Sequence, residues 1–262
     1  MSLITKRLGF FRRKKMKKGA SSILYILIVA AVATGTVWLL TGVFHAEKPQ
    51  PLYNNIVIEE TDSLIFFYPQ FDTLDLVCGA EVPMRDSSLF CCCAAFTAHC
   101  LDTFAHDNIR CNHVSAGILY AGSDEPVCTG VFTFYDGKAH FDFANHAALD
   151  SAAAHHGMGF QQILILRNDS VVSSDSLQNL FRKSFVFRSL AEKNGRLCLV
   201  QSKDTLPYPQ YVNLLAKAKV SNAIYLDMGG WSHGYYRDNF GKLQYLGEEP
   251  NPYSTNWILF GK

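Results

Sequence analysis

Apolar residues form one long run near the start of the chain and many short runs after it. The long run extends from Ile23 to Phe44, 22 residues without a charged side chain, and as a helix it would be roughly 33 Å long. This length exceeds the roughly 30 Å of a bilayer's hydrocarbon core, so the pattern predicts one transmembrane helix at residues 23–44. A cleaved signal peptide is the competing interpretation. Its apolar region would be shorter and would end at small residues, whereas this run continues through Trp38 to Leu40.

The charge pattern predicts the orientation of that helix. Residues 1–22 contain eight Lys and Arg residues and no acidic residue, because the first carboxylate is Glu47. Basic residues beside a membrane span favour the cytoplasmic side, so we expect a cytoplasmic head and a C-terminal domain that is periplasmic or extracellular. Residues 45–53 include Lys48-Pro-Gln-Pro51 and are expected to form a short, stiff linker.

Composition then limits the function of the outer part. The chain has 24 basic and 23 acidic residues; without the eight of the head, 16 basic residues stand against 23 acidic ones, a net charge of about −7. A generally basic nucleic-acid binder is excluded, so no nucleic-acid partner is expected. The 13% aromatic residues also exclude a disordered chain.

Short apolar runs after the linker predict β-strands. Asp136-Gly137 and Asn194-Gly195 each separate two such runs, and both dipeptides favour tight hairpins because they tolerate positive φ. The predicted strands are Ile56–Ile58, Leu64–Tyr68, Leu89–Phe96, Gly117–Tyr120, Val131–Tyr135, Ala139–Phe143, Phe185–Leu190, Arg196–Val200, Ala223–Asp227, Leu243–Leu246 and Asn256–Phe260.

Two segments have a helical pattern. Ala144–His155 is rich in alanine, and Pro209–Lys219 places Tyr211, Leu214 and Leu215 on one face. Strands outnumber helices and do not alternate with them regularly. We therefore expect an α+β domain at residues 54–262, with a mixed, largely antiparallel sheet and a few helices.

The cysteines leave three possibilities open. Cys91-Cys92-Cys93 lies in an apolar strand-like run, where alternation would point Cys91 and Cys93 to one face and Cys92 to the other. They can serve as small buried hydrophobes, and the eight cysteines of the outer part can also form a disulfide. His99, Cys100, His106, Cys111 and His113 are residue types that bind zinc, but they lack paired ligand spacing. No metal site and no cofactor is predicted.

Two polar segments are candidates for a site. His155-His156 is followed by Gly157 and Gly159, where small residues would let a ligand approach the backbone; the alternative is a capped helix end. Asp227 follows a predicted buried strand and precedes Gly229, Gly230, Ser232 and His233. That loop offers a carboxylate, backbone N–H groups and an imidazole, although Asp227 could equally cap its own turn.

The second segment carries a family resemblance. Ala223-Ile-Tyr-Leu-Asp-Met-Gly-Gly-Trp-Ser-His233 resembles the A-x-N-L-D-G-G-G-S-S-T motif of the phosphodiester glycosidase domain family, related to the enzyme that uncovers mannose 6-phosphate. Arg188-Ser-Leu, followed by Asn-Gly-Arg-Leu-Cys-Leu-Val200, is similar to the family's arginine-led strand pair. His156 to Leu166 and the ending Asn251 to Phe260 are also similar to family segments. The resemblance covers about residues 54–262.

Some positions depart from the family pattern. Its N-G-G-F-F signature is replaced by Cys93-Ala-Ala-Phe96, and its triple glycine with paired serines is reduced to Met228-Gly-Gly-Trp-Ser-His233. The chain looks most like a divergent, membrane-anchored bacterial branch, for which the compartment would be the periplasm.

The resemblance implies hydrolysis of a sugar 1-phosphodiester at the glycosidic bond. Asp227 would act as acid/base or hold the sugar, Arg188 would clamp the phosphate, and His233 would assist. The expected pocket residues are Gly229, Gly230, Ser232, His156, Gly157, Gly159 and Asn256. Two alternatives remain, a non-catalytic envelope module that binds carbohydrate or phosphate, and a structural part of an envelope complex.

Overall fold

The apolar runs after residue 53 fold into β-strands in the computed structural model. It describes residues 53–79, 81–98, 108–122, 128–172, 181–227, 233–247 and 254–262. The predicted head at residues 1–22, the predicted transmembrane helix at 23–44 and nearly all of the predicted linker lie outside these ranges. Within them, no helix has the length and apolar character that a membrane crossing needs.

The described residues contain 17 strands. In order they are β1 (Ile56–Glu60), β2 (Leu64–Pro69), β3 (Thr73–Cys78), β4 (Ser88–Cys93), β5 (His113–Ser115), β6 (Ile118–Tyr120), β7 (Gly130–Tyr135), β8 (Lys138–Phe143), β9 (Met158–Gln162), β10 (Leu164–Arg167), β11 (Ser170–Val171), β12 (Arg188–Lys193), β13 (Arg196–Ser202), β14 (Val220–Leu226), β15 (Gly234–Arg237), β16 (Leu243–Tyr245) and β17 (Asn256–Gly261).

These strands form three antiparallel sheets. The first has seven strands in the order β1-β2-β13-β12-β14-β10-β11, the second has five in the order β16-β15-β4-β17-β3, and the third has five in the order β6-β5-β9-β7-β8. The prediction of a mixed, largely antiparallel fold with a few helices is confirmed for the described residues. The sequence did not predict the division into three sheets.

Both predicted hairpins are present. Asp136 and Gly137 have φ values of 49° and 70° and join β7 to β8, and Asn194 and Gly195 have 54° and 70° and join β12 to β13. Positive φ at both central residues matches the right-handed twist of the paired strands. The second pair begins at Arg188, three residues later than the predicted Phe185, whose backbone pairs with Leu206 instead.

Two helices in the described residues pack on outer faces of the sheets. Helix α1, His146–Ala154, is capped at its N-terminus by Asn145, whose Oδ1 accepts the Ala148 N–H at 2.8 Å. Helix α2, Tyr208–Lys217, follows Pro207 and has a second proline in its first turn. Its Tyr211 and Leu215 are fully buried against the seven-stranded sheet. Both predicted helices exist, with ends shifted by one or two residues.

One core joins the three sheets, and the triple cysteine shows how it is built. Cys92 points into this shared core with Phe90 and Ile258, whereas Cys91 and Cys93 lie on the other face of the second sheet. The predicted alternation is therefore confirmed, and the three cysteines are buried thiols. One disulfide, between Cys111 and Cys128, is formed elsewhere.

Candidate functional site

The candidate site lies where strands of the first and second sheets end side by side. Arg188, at the start of β12, pairs with Leu226, the last residue of β14, so that Asp227 leaves the sheet beside Arg188. The backbone N–H of Asp227 donates to the Ala94 carbonyl at 2.9 Å, just after β4. This hydrogen bond ties the end of β14 to the second sheet.

Asp227 is partly exposed and its carboxylate faces the segment after β4. Oδ2 accepts the backbone N–H of Thr97 in a long hydrogen bond of 3.4 Å. A backbone donor favours the ionised form of a carboxylate. The group is thus positioned to accept a proton or to bind a hydroxyl.

His233 directly precedes the strand β15 and lies close to the same strand ends. It is 3% exposed, and its ring meets that of Trp257 edge-on at 5.1 Å. Burial lowers the pKa of His233, and the positive charge of Arg188 lowers it further. Its Nδ1 has no hydrogen-bond partner among the described residues. A buried neutral imidazole with an unpaired nitrogen can bind a ligand hydroxyl.

Arg188 is completely buried, and its guanidinium donates to groups within the protein. Nε donates to Gln201 Oε1 at 2.9 Å, and Nη2 donates to the same oxygen. Nη1 donates to the His233 carbonyl at 3.1 Å, and Nη2 also donates to the Leu246 carbonyl at 3.3 Å. In this structure Arg188 holds both ends of the hairpin formed by β15 and β16.

Asn256, the first residue of β17, joins the same strand ends through its amide. Its Oδ1 accepts the Ala95 N–H at 2.7 Å, and its Nδ2 donates to the Ala95 carbonyl at 2.9 Å. This pair continues the ladder between β4 and β17 beyond the last backbone pair. Asn256 therefore fixes the segment between Cys93 and Thr97 that faces Asp227.

The structure adds a group of hydroxyls that sequence reasoning missed. Thr97 Oγ1 lies 3.0 Å from Thr255 Oγ1, and Ser254 Oγ lies 3.2 Å from Cys93 Sγ. The polar run before β17 was the only sequence signal for Ser254 and Thr255, because their partners are 161 and 158 residues away, respectively.

Cys93 stands where the resembled family has an asparagine. Burial raises the pKa of its thiol to about 12, with the hydrogen bond to Ser254 acting in the opposite direction. The thiol is therefore protonated at neutral pH and is not a nucleophile in this state. It packs with Trp257 and Tyr235 on the outer face of the second sheet.

Gly159 lies in β9 of the third sheet, and His156 and Gly157 lie in the turn between α1 and β9. His156 is exposed with a φ of 53°. A Cβ on Gly157 would lie 2.4 Å from the Phe134 carbonyl, and a Cβ on Gly159 would lie 2.8 Å from the Phe132 carbonyl. Both glycines are needed for close strand packing. Just after β9, the Ile163 carbonyl accepts the N–H of Tyr225, two residues before Asp227.

The other predicted pocket residues, Gly229, Gly230 and Ser232, lie outside the described residues. The described ranges contain no group of three or more His, Cys, Asp or Glu side chains that could hold a metal ion. The residues brought together are thus a carboxylate, a neutral imidazole, hydroxyls and backbone amides, a set suited to binding and hydrolysing a hydroxyl-rich substrate.

Comparison with known proteins gives similarity at the level of structure. No protein-family model and no curated protein matches the chain. The catalytic domain of zebrafish N-acetylglucosamine-1-phosphodiester α-N-acetylglucosaminidase, auto-inhibited by its pro-peptide, is similar over 83% of this chain and 85% of that one, with 15% identity and a TM-score of 0.56. A hypothetical protein from Synechocystis is similar over 79% of this chain and 61% of that one, with 10% identity and a TM-score of 0.48. The chain thus has a fold related to that of the zebrafish catalytic domain.

Proposed function

We propose that this protein is a membrane-anchored hydrolase that cleaves a sugar 1-phosphodiester at the glycosidic bond. The observation that carries the proposal is that Arg188 joins two strand ends: it pairs with Leu226, just before Asp227, and its guanidinium holds the backbone of buried His233, in a fold related to that of the zebrafish enzyme. The name of that enzyme specifies a glycosyl phosphodiester as its substrate. The motifs around Asp227 and Arg188 resemble the same family in the same order along the chain.

The chemistry needs few protein groups. Water adds to C1 of the sugar while the bond between C1 and the bridging phosphate oxygen breaks, and the electron pair of that bond leaves with the phosphomonoester. One water proton passes to the Asp227 carboxylate and then to solvent, and the water oxygen stays on the sugar. A phosphomonoester has a second pKa of about 6, so it leaves as a stable anion without a strong general acid. One well-placed carboxylate is therefore sufficient.

His233 and Arg188 have separate roles in this mechanism. His233 stays neutral near pH 7 because its pKa is lowered, and its Nδ1 binds a hydroxyl of the sugar. Arg188 fixes the backbone of His233, and its charge favours an anion in the pocket through space rather than by direct contact.

The N-terminal part would place this domain at a membrane surface. The basic head at residues 1–22 stays in the cytoplasm, the helix at residues 23–44 anchors the chain, and the domain faces the periplasm or the exterior. A glycosyl phosphodiester or another carbohydrate ligand is the expected partner.

The test is hydrolysis by the full-length protein in detergent. A panel of sugar 1-phosphodiesters is incubated with the protein while free reducing sugar is measured. We expect release from at least one substrate and a loss of about 100-fold or more in Asp227→Asn, whose amide can still accept the Thr97 N–H. Asp150→Asn on the exposed side of α1 is the matched control and should keep full activity. If no substrate of the panel releases free sugar, the proposed hydrolase activity is contradicted.

A non-catalytic module that binds carbohydrate or phosphate is the alternative, and Cys93 favours it. Where the resembled family has a polar amide, this chain has a buried thiol that donates at most a weak hydrogen bond. Binding of a sugar 1-phosphodiester without turnover, weakened by Asp227→Asn, would support this alternative.

A further inference from the structure

A second cleft lies at the other end of the strands that carry the candidate site. It consists of two cavities of about 660 and 360 Å³ between the first and third sheets. Ala139, His140 and Glu192 line both cavities, so the two adjoin at the edge strand β8, whose successive side chains face opposite sides of the third sheet. Volumes in this range are typical of sites for small organic ligands.

Polar side chains stand in this cleft where the sheet would otherwise be apolar. Leu190 and Ile224 are paired residues of the core shared by the sheets. Glu192 and Asn222 are the pair two residues away on the same strands, and they occupy the same face. Asn222 Nδ2 donates to Glu192 Oε2 at 2.8 Å. Asn222 Oδ1 accepts the backbone N–H of Asn168 at 2.9 Å.

Glu192 has bonding capacity left in this arrangement. It makes no ion pair with any residue in the described ranges, and a carboxylate can accept about four hydrogen bonds. The Asn222 amide holds the carboxylate in one orientation, which lowers the entropy lost when a ligand binds.

Ring faces accompany the polar groups. Phe71 and Phe134 line the wider cavity, with ring centroids 5.8 Å apart. His140, which lines both cavities, stacks on Tyr135 of the narrower one with ring centroids 4.7 Å apart. The stacked imidazole is exposed and can donate and accept hydrogen bonds.

This cleft is distinct from the candidate active site. Asn222 and Asp227 are five residues apart on or next to the same extended strand, a separation of about 17 Å. Likewise, Glu192 of the cleft and Arg188 of the candidate site lie near opposite ends of β12.

We propose that this cleft binds a short neutral oligosaccharide. A sugar ring presents hydroxyls around its rim, which match Glu192, Asn222 and His140, and apolar C–H groups on its faces, which match Phe71 and Phe134. A wholly apolar ligand would desolvate the Glu192 carboxylate without adding a hydrogen bond to the one from Asn222. The cleft follows β8 from Lys138 to Asp142, about 14 Å, long enough for more than one sugar ring. The proposal does not depend on the proposed hydrolysis.

The test uses full-length protein and three probes, maltotriose, chitotriose and mannotriose, titrated by calorimetry. We expect at least one to bind with a Kd of roughly 0.1–1 mM, as for a small ligand in an open cleft. Glu192→Gln and His140→Ala should each weaken binding about 10-fold, because each removes a polar contact. The matched control is His146→Ala, an exposed histidine of α1 that does not line the cleft.

Two further variants separate this cleft from the candidate active site. Ala139→Trp, which fills the region between the two cavities, should abolish binding; because Ala139 also packs against the core, its Tm is measured to check that the fold is kept. Asp227→Asn should leave trisaccharide binding unchanged even if hydrolysis is lost. The proposal is overturned if none of the three probes binds, or if the affinity is the same in Glu192→Gln, His140→Ala and the parent protein.

Discussion

The guanidinium of Arg188 donates a hydrogen bond of 3.1 Å to the backbone carbonyl of His233. Through this contact, the arginine that begins β12 fixes the backbone of the histidine just before β15, 45 residues later. Because the same guanidinium also donates to Gln201 and Leu246, it holds the β15–β16 hairpin against the seven-stranded sheet. Arg188 is therefore a positioning residue for His233 in this structure.

Arg188→Lys tests this role. The ammonium keeps the charge but cannot reach Gln201, His233 and Leu246 together, so buried acceptors lose their partners. We expect the free energy of unfolding, measured in urea, to fall by about 3 kcal/mol. Arg85→Lys, at an exposed ion pair with Asp75, should change it by less than about 1 kcal/mol. Unchanged stability with a large loss of kcat/KM would instead assign Arg188 to direct phosphate binding.

The lowered pKa of His233 predicts a dependence of stability on pH. Burial and the charge of Arg188 disfavour the imidazolium in the folded state, so the unfolded chain binds more protons once the pH falls below the ordinary histidine pKa of about 6.5. The contribution of His233 is complete above that value and decreases as the pH falls. We expect the stability difference between the parent and His233→Gln to shrink from about pH 7.5 to about pH 5.5. Parallel stability curves for the two proteins would contradict this expectation.

The sequence predicted those hairpins and strands that are specified by residues close together in the chain. Asp136-Gly137 and Asn194-Gly195 specify their hairpins by their own backbone preferences, and the apolar run before Asp227 predicts a buried strand. The three-sheet arrangement depends on pairs far apart in the chain: β4 pairs with both β15 and β17. No local pattern specifies such pairs, because each apolar strand could pair with many others.

The candidate site divides in the same way. Asp227 was recognisable from the strand and glycines around it. The burial of Arg188 was not, because its acceptors include main-chain carbonyls of His233 and Leu246, and any residue type offers a carbonyl. The hydroxyl pair Thr97 and Thr255 is likewise formed by two segments that the fold alone brings together.

Gly159 provides a test of the prediction that small residues after His156 let a ligand approach the backbone. A Cβ at this position would lie 2.8 Å from both the Phe132 carbonyl and Thr133 Cγ2, closer than real Cβ contacts. Gly159→Ala should therefore lower the free energy of unfolding by about 1–3 kcal/mol. The affinity of the folded fraction for a sugar 1-phosphodiester should stay unchanged. Denaturant titration together with calorimetry separates the two effects. Full stability with weakened binding would place a ligand at Gly159 instead.

The disulfide between Cys111 and Cys128 should stabilise the domain by restricting the unfolded chain. The two cysteines are 17 residues apart, and closing a loop of this size contributes about 3 kcal/mol in the chain-entropy model. We expect dithiothreitol to lower the free energy of unfolding by that amount. In the double variant Cys111→Ser/Cys128→Ser, the same treatment should have no effect on stability. A parent protein that is equally stable with and without the reductant would contradict the prediction.

The three consecutive cysteines predict a pattern of chemical protection. Burial raises the pKa of Cys92 to about 11, against the opposing charge of Arg188, and that of Cys93 to about 12. At pH 8 roughly one Cys92 thiol in a thousand would be ionised, and only the thiolate attacks an alkylating reagent. In native protein treated with iodoacetamide, peptide mapping should therefore find Cys91, Cys92 and Cys93 unmodified, while all three react in urea. Half-buried Cys78 is the internal comparison: burial raises the pKa of its thiol to about 11 as well, so its faster alkylation would come from its greater exposure to solvent and not from easier ionisation. Rapid native alkylation of Cys93 would mean that its thiol is open to solvent and ionised, and Cys93 would then be a candidate nucleophile next to Asp227.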